Sequence, residues 1–355
     1  MAKQARTRVP KSSAVQKPLN RSLHAAKATK QDEFYTQLPD IEKELKHYTK
    51  HFKGKTVLCN CDDPTVSNFF RFFSLNFEKL KLKKLITTCY KNSDADLFST
   101  HEGKRGAYLV YEGDRNGNRI PDPEEIGIQQ FTGDGDFRSR ECIALLKEAD
   151  IVVTNPPFSL FREYVEQLVE HKKKFIIIGN MHAIKYKGFF ELIQQNKVWL
   201  GNTHPVAFVV PDHYEMREVR SWRDESGTNW RSMGNACWFT NLDIAKRHEE
   251  LVLYKGYSRQ ANPKYANYDA IEVSKYTDIP NDYEGAMGVP LSVLDHYNPE
   301  QFEILGTNRT VGVAPMSSIA KKGTYTVGGP CFYMANGDGT YRRMYERLVI
   351  KNKRL

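Results

Sequence analysis

Between Thr56 and Val210 the chain alternates short apolar, β-branched runs with segments whose apolar residues recur every three or four positions. The first pattern predicts strands and the second predicts helices. Strands are expected at Thr56–Asn60, Leu85–Cys89, Ala107–Tyr111, Ile128–Thr132, Ile151–Val153 and Lys174–Gly179. Helices are expected at Asp40–Phe52, through Phe69, Phe70 and Phe73, at Ser139–Lys147, from Phe158 through Leu168, and at Phe189–Gln194. Asp63-Pro64 has the form of an N-cap followed by proline at the first helical position, opening the Phe69 helix. Residues 91–127 are polar and Gly-rich and form an insertion around the Ala107–Tyr111 strand. The alternation predicts an α/β fold on a parallel, doubly wound sheet. Trp199 and Ala207–Val210 are expected to complete it as an antiparallel pair.

The pattern breaks after Pro211. Residues 212–300 are irregular and polar, with Tyr, Trp, Arg and Asn interleaved, and residues 301–355 alternate in a β-like way and end in a basic strand, Arg347–Lys353. Four parts are therefore expected: a tail (1–31), an α/β domain (32–211), an added module (212–300) and a C-terminal β-rich segment (301–355).

One strand ends unusually. Asp150–Phe158 reads DIVVTNPPF. Two prolines cannot continue a sheet, and each holds the residue before it extended. A bare Asn-Pro-Pro is an ordinary turn. Here it joins a buried strand to a helix, which places it where open α/β sheets bind ligands, at the carboxyl end of a parallel strand. The Asn155 amide oxygen and the Pro156 carbonyl can each accept a hydrogen bond from one exocyclic amino group. Phe158 can stack on the ring that carries that group. Asn155, Pro156, Pro157 and Phe158 are thus the candidate catalytic residues for methylation of a planar amino or amide nitrogen.

With this tetrapeptide in its setting, the chain resembles the EcoRI-type DNA adenine-N6 methyltransferases. The resemblance rests on Asp32–Gln37 (DEFYTQ), Cys59–Phe70 (CNCDDPTVSNFF), Phe131–Ser139 (FTGDGDFRS), Asp150–Tyr164 and Met287–Gly306, in that order. It implies a Rossmann-like methyltransferase sheet with a target-recognition module, S-adenosylmethionine as cofactor, and transfer to N6 of a flipped-out adenine in duplex DNA. Such an enzyme would serve a restriction-modification system, or act as an orphan or phage methylase. A cognate endonuclease is not physically implied by the chain, and its oligomeric state stays open. Methyl transfer to RNA or to a protein glutamine remains an alternative, because NPP-aromatic motifs serve those reactions too. So does a DNA-binding protein that has lost catalysis, because the chain lacks a G-x-G turn after its first strand.

The cofactor residues follow from the same stretches. Asp32, Phe34, Tyr35 and Thr36 would close over the methionine end. Asn60 and Asp62 stand in place of the Gly-rich turn, with Asp63 the simpler helix cap. Asp136 and Phe137 would hold the cofactor's adenine, with Asp134 a turn former, and Asn155 would face both cofactor and target. No carboxylate stands at the end of the second strand, Thr87-Thr88-Cys89-Tyr90, so the group that holds the ribose is open. For base reading, Arg suits guanine and Asn suits adenine. Arg217, Arg220, Arg223, Asn229, Arg231 and Asn235, beside Tyr214, Trp222 and Trp230, are the candidates.

Charge adds a tail to this picture. Of 52 Lys/Arg, eight lie in residues 1–31, which hold no Asp or Glu, leaving 44 basic against 43 acidic residues in the remainder. The tail has few large apolar residues, so it is expected to be a flexible arm that neutralises phosphates. Six cysteines without C-x-x-C spacing suggest neither zinc nor a disulfide framework. No apolar run reaches membrane-spanning length, and a cytoplasmic location without a membrane partner is expected.

Overall fold

The computed structural model describes residues 34–60, 67–89, 106–118, 121, 125–212, 214–216 and 219–355. Its centre is an eight-stranded sheet. The strands are β1 (Thr56–Cys59), β2 (Lys84–Cys89), β3 (Ala107–Tyr111), β4 (Gly127–Gln130), β5 (Ile151–Thr154), β6 (Lys174–Asn180), β7 (Trp199–Leu200) and, after an excursion, β11 (Ala236–Thr240). Their order is β4-β3-β2-β1-β5-β6-β11-β7. The four central strands, β2, β1, β5 and β6, run parallel, and antiparallel strands flank them on both sides.

Each central strand is buried on both faces, which is why it reads as a continuous apolar run. Val57, Leu85, Ile151, Val153, Ile176 and Ile178 point to one face. There they meet α1 (Leu38–Leu45) through Ile41 and Leu45, and α2 (Asn68–Leu75) through Phe69 and Phe73. Leu58, Ile86, Val152, Phe175 and Ile177 point to the other. There they meet α3 (Arg140–Glu148), α4 (Phe161–Glu170) and α5 (Lys187–Gln194) through Leu146, Val165, Leu168, Phe189 and Phe190.

The structure corrects three expectations. Ile128 lies in an antiparallel edge strand, not a parallel one: β4 returns along β3, and all four of its residues are exposed. A parallel return needs a crossover of a dozen or more residues, usually a helix, and the polar stretch before Ile128 has no apolar stripe for one. Ala207–Val210 does not close the large sheet. Ala207–Val209 is β8, which joins β9 (Ser221–Arg223) and β10 (Asn229–Ser232) in a separate sheet of order β8-β10-β9. The partner of β7 is β11, whose Cys237, Trp238 and Phe239 are fully buried and so suit a position between two strands. Finally, the cap on α2 is Ser67, whose Oγ accepts from the Phe70 N–H at 3.0 Å. Asp63 and Pro64 lie outside the described residues.

The excursion from β7 to β11 is fastened at both ends. At its start, the buried Glu44 carboxylate accepts from the N–H groups of Asn202 and Thr203 and from the Thr203 hydroxyl, at 2.7 to 2.8 Å. At its return, the Asn235 side chain donates to Asn180 Oδ1 at 2.9 Å. Residues 212–300 thus feed three sheets, because β12 (Ile271–Glu272) and β13 (Met287–Val289) pair beyond β11 with the C-terminal strands. In that sheet β14 (Phe302–Thr307) and β17 (Leu348–Asn352) complete the order β12-β13-β17-β14, while β15 (Tyr333–Ala335) and β16 (Tyr341–Arg343) pair as a separate antiparallel ribbon. The four-stranded sheet packs on α5, where the Gln194 side chain donates to the Ile304 and Leu305 carbonyls. Among the described residues no helix is long and apolar enough to cross a membrane.

Candidate active site

The site begins where three parallel strands end. At the end of β1, the buried Asn60 accepts a hydrogen bond from the Thr88 hydroxyl of β2 through its side-chain oxygen, at 2.7 Å. Its backbone carbonyl accepts from the Thr154 hydroxyl of β5. Asn60 therefore joins three strand ends, a structural task that its place in the sequence did not reveal.

The next residue after Thr154 is Asn155. Its amide nitrogen donates to the Phe34 carbonyl at 2.6 Å and to Thr36 Oγ1 at 3.3 Å. A carbonyl only accepts, so the NH₂ end of the amide must face Phe34. The other end, Oδ1, is then the outward acceptor. It is buried and has no hydrogen-bond partner among the described residues. A buried acceptor without a donor costs about 1–3 kcal/mol, so this atom gains from any N–H group that reaches it. The neighbouring Pro157 carbonyl accepts from the Leu160 N–H at 2.9 Å, while no backbone donor among the described residues takes the Pro156 carbonyl.

Phe34, Tyr35 and Thr36 are held against this loop from several sides. The Asn68 side chain at the start of α2 donates to the Thr36 carbonyl at 2.8 Å, and Thr36 is buried. Tyr35 exchanges backbone hydrogen bonds with Val209 of β8, at 2.8 and 3.2 Å. The Phe34 ring lies 5.4 Å from Phe158, 5.9 Å from Phe208 and 6.0 Å from Tyr214. Asn155, Phe158 and the 34–36 segment, far apart in sequence, are thus one assembly. Asn68 and Phe208 belong to it and were not anticipated. Asn68 beside the Ser67 cap, and Phe208 in an apolar alternation, are the signals that pointed there.

Gly133–Phe137 is built differently. Gly135 has φ +77°, and a Cβ there would stand 2.4 Å from the Cys89 carbonyl oxygen, so the loop presses on the end of β2. Asp134 Oδ1 accepts from the Asp136 N–H at 3.1 Å, the turn-forming role expected of it. The Glu141 carboxylate takes the N–H groups of Thr132 and Gly133, and these bonds, Thr132 first, hold it below the usual carboxylate range. The Asp136 carboxylate is gripped by Arg138: Nε at 2.8 Å on one oxygen, the far guanidinium nitrogen at 2.6 Å on the other, and the Arg138 backbone N–H at 2.8 Å. Phe137 is 4% exposed and packs edge-on to Tyr164 at 5.1 Å, so its ring serves the core.

The candidate base readers divide in the same way. Asn229 is 3% exposed; its oxygen accepts from Arg223 Nε and its nitrogen donates to Asp212. Arg231 donates to the Val219 carbonyl and the Ser221 hydroxyl. Asn235 fastens the return to β11. Asn229 and Arg231 thus hold the small sheet in shape, and Asn235 ties the chain back to the large one. Arg220 is exposed, with left-handed backbone at φ +67°. Asp32, Asp62 and Arg217 lie outside the described residues.

A family model described as adenine-specific methyltransferase EcoRI matches residues 22–353. The Type II methyltransferase M.EcoRI of Escherichia coli is 46% identical over 341 residues, which cover 95% of this chain and 98% of that one. The Type II methyltransferase M.MpnI of Mycoplasma pneumoniae is 38% identical over 289 residues, 79% of this chain and 83% of that protein. No solved structure matches the chain.

Proposed function

The chain belongs to the EcoRI family of adenine-specific methyltransferases, and from that premise we propose how its residues methylate N6 of an adenine in a defined duplex DNA site, as the modification enzyme of a Type II system. The observation that carries the reading is the buried Asn155 Oδ1 at the carboxyl end of β5, an acceptor without a donor among the described residues. An exocyclic amino group supplies that donor. One N–H goes to Asn155 Oδ1 and the other to the Pro156 carbonyl, which favours a pyramidal nitrogen and aims its lone pair. Holding the nitrogen in line is the larger contribution. The base must leave the stack to reach the site, at a cost of a few kcal/mol. Stacking on Phe158 returns roughly 1–3 kcal/mol.

S-adenosylmethionine, when bound, supplies an electrophilic methyl group. Aromatic walls at Phe34 and Tyr35, the Thr36 hydroxyl and the strand-end amide Asn60 fit a molecule with a zwitterionic end and a flat heterocycle. Asp32 and Asp62 would add carboxylates, and Asp136 the adenine contact. On this reading the large sheet is the Rossmann-like, doubly wound scaffold of methyltransferases. Target recognition lies in 212–300, chiefly in the small sheet, where Arg220 and Arg223 are the exposed guanidinium groups. Residues 1–31 add phosphate contacts.

The test is transfer of labelled methyl to duplex DNA, RNA and ribosomal protein, followed by hydrolysis of the product. N6-methyladenine from duplex DNA alone is expected. Label recovered in RNA or glutamine instead would overturn the substrate, and no transfer despite cofactor binding would overturn the reaction.

A further inference from the structure

A primary amide has two ends that differ in chemistry and hardly in shape. Half a turn of the Asn155 side chain about its last bond would exchange Oδ1 for Nδ2. The site would then show N–H groups to the N–H groups of the target amine. Methyl transfer therefore needs more than Asn155 itself; it needs one sense of its amide.

The partners of Nδ2 say what sets that sense. They are the Phe34 carbonyl at 2.6 Å and Thr36 Oγ1 at 3.3 Å. A hydroxyl donates as well as accepts, so Thr36 can serve either end of the amide. A backbone carbonyl only accepts, so the turned amide would set its oxygen against the Phe34 oxygen. The Phe34 carbonyl is the selective partner, and no substitution of the Phe34 side chain removes it.

What a side chain can govern is where that carbonyl stands. Tyr35 exchanges backbone hydrogen bonds in both directions with Val209 of β8. In an antiparallel pair, the residues on either side of such a position turn their carbonyls away from the partner strand. Those two carbonyls go to two asparagines: Phe34 accepts from Asn155, and Thr36 accepts from Asn68 Nδ2 at 2.8 Å. Asn68 is half-buried at the start of α2, where Ser67 supplies the cap, so its side chain is not needed to cap the helix. Thr36 stands between them, buried, with its hydroxyl on one asparagine and its carbonyl on the other.

Resting on the reading above, we infer that Asn68 is a positioning residue for methyl transfer. It holds the 34–36 segment from the α2 side, and the Phe34 carbonyl of that segment keeps the acceptor end of Asn155 toward the target amine. Its action runs through the main chain and requires contact with neither base nor cofactor. Without it the two senses of the amide come closer in energy, and the rate falls with the fraction of molecules that keep Oδ1 outward.

A double-mutant cycle tests this, read as single-turnover methyl transfer by the full chain to a duplex carrying the mapped target site, at saturating S-adenosylmethionine. Asn68→Asp keeps the shape and removes the donor. It also puts a carboxylate in the first turn of α2, where helix N-termini favour one, so the fold should hold. Asn68→Asp should lower the rate about 3- to 10-fold, the worth of one hydrogen bond. The same change made in Asn155→Ala should lower the residual rate by less than about twofold, because no amide is left to orient. Asn68→Ala removes the donor without adding charge and should repeat both results. Melting curves of the single variants should overlie that of wild type. A role confined to packing or to the cofactor wall would act in both backgrounds alike, so equal proportional losses with and without Asn155 would overturn the inference. So would no loss in either. If wild type methylates no duplex, or Asn155→Ala matches wild type, the parent reading fails; if Asn155→Ala is impaired and the Asn68 variants are not, only the role of Asn68 fails.

Discussion

Two loops of this protein, Asn155–Phe158 after β5 and Gly133–Phe137 before α3, each offer a side-chain oxygen followed by an aromatic ring. In one the oxygen waits: Asn155 Oδ1 is buried without a donor among the described residues, and Phe158 sits at the site, half-buried against Phe34. In the other the oxygens are taken: Arg138 grips Asp136 through side chain and backbone, and Phe137 is in the core. Residue type sets what a group can do, and its neighbours set whether it is available to do it. The amide gains from the arrangement because its two ends differ. Phe34 consumes the donor end and leaves the acceptor, a division that a symmetric carboxylate cannot make.

The strongest test of this contrast is Asn155→Ala. Loss of a hydrogen bond formed at the reacting atom typically costs about 10²–10³ in rate, so single-turnover transfer should fall by that order. Cofactor affinity should change little in comparison. A variant with near-normal rates would remove the contrast, since the waiting oxygen would then have no task.

Gly135→Ala probes the closed loop through its backbone. An added Cβ meets the Cys89 carbonyl at 2.4 Å in left-handed backbone, and the neighbour is main chain that cannot step aside. The left-handed conformation alone costs roughly 1–2 kcal/mol. The melting temperature should drop by several degrees at least, whereas Asn155→Ala should leave it nearly unchanged. An unshifted melting curve would show that the loop is not pressed on β2 as described.

Comparing Asp136→Ala with Arg138→Ala asks whether the closed loop is merely closed. If Asp136 only anchors Arg138, the two variants should weaken stability alike, by at most about 1 kcal/mol for a partly exposed pair, and non-additively when combined. Neither would then alter S-adenosylmethionine binding. If Asp136 meets the cofactor's adenine, Asp136→Ala alone should weaken that binding by roughly tenfold, near the worth of a hydrogen bond to a charged group. Calorimetric titration of both variants decides.

The smallest effect should come from outside both loops. Deleting residues 1–31 removes eight positive charges. The slope of log affinity against log salt should become shallower by up to ~0.9 for each phosphate that the shortened chain no longer neutralises. Discrimination against a one-base variant of the target should hold, because phosphate contacts position and base contacts specify. An unchanged slope would mean that the arm does not touch phosphate.

How much of this was legible depends on how local the cause is. The strand at Ile151, its abrupt end and the helix after it were readable because a β-branched run, two prolines and a helical spacing act within a few residues. The closure of Asn155 on Phe34 was not, since it joins positions 121 apart in sequence. Nor was the seat of β11 between β6 and β7, because an apolar run tells that a strand is buried but not which strands it lies between. The grip of Arg138 on Asp136 spans only two residues and is still not legible. An arginine two positions from an aspartate is common, and only coordinates show that it folds back.

The geometry of the excursion also bears on how such enzymes diversify. The chain leaves the large sheet after β7 and re-enters at β11, and these are neighbours: Phe239 faces Leu200, and Thr240 faces Trp199. Paired strands lie about 4.8 Å apart, so the segment between them, with its small sheet, spans almost no distance. Glu44 holds one end and Asn180 the other. A segment mounted on fixed, adjacent points can be lengthened, shortened or exchanged at little entropic cost. The contacts of Phe208 and Val209 with the 34–36 segment must be kept, but the large sheet itself need not respond. If this excursion reads the target as proposed, its part beyond β8 is an interchangeable head on a constant handle, and a new target sequence can be acquired without remaking the chemistry.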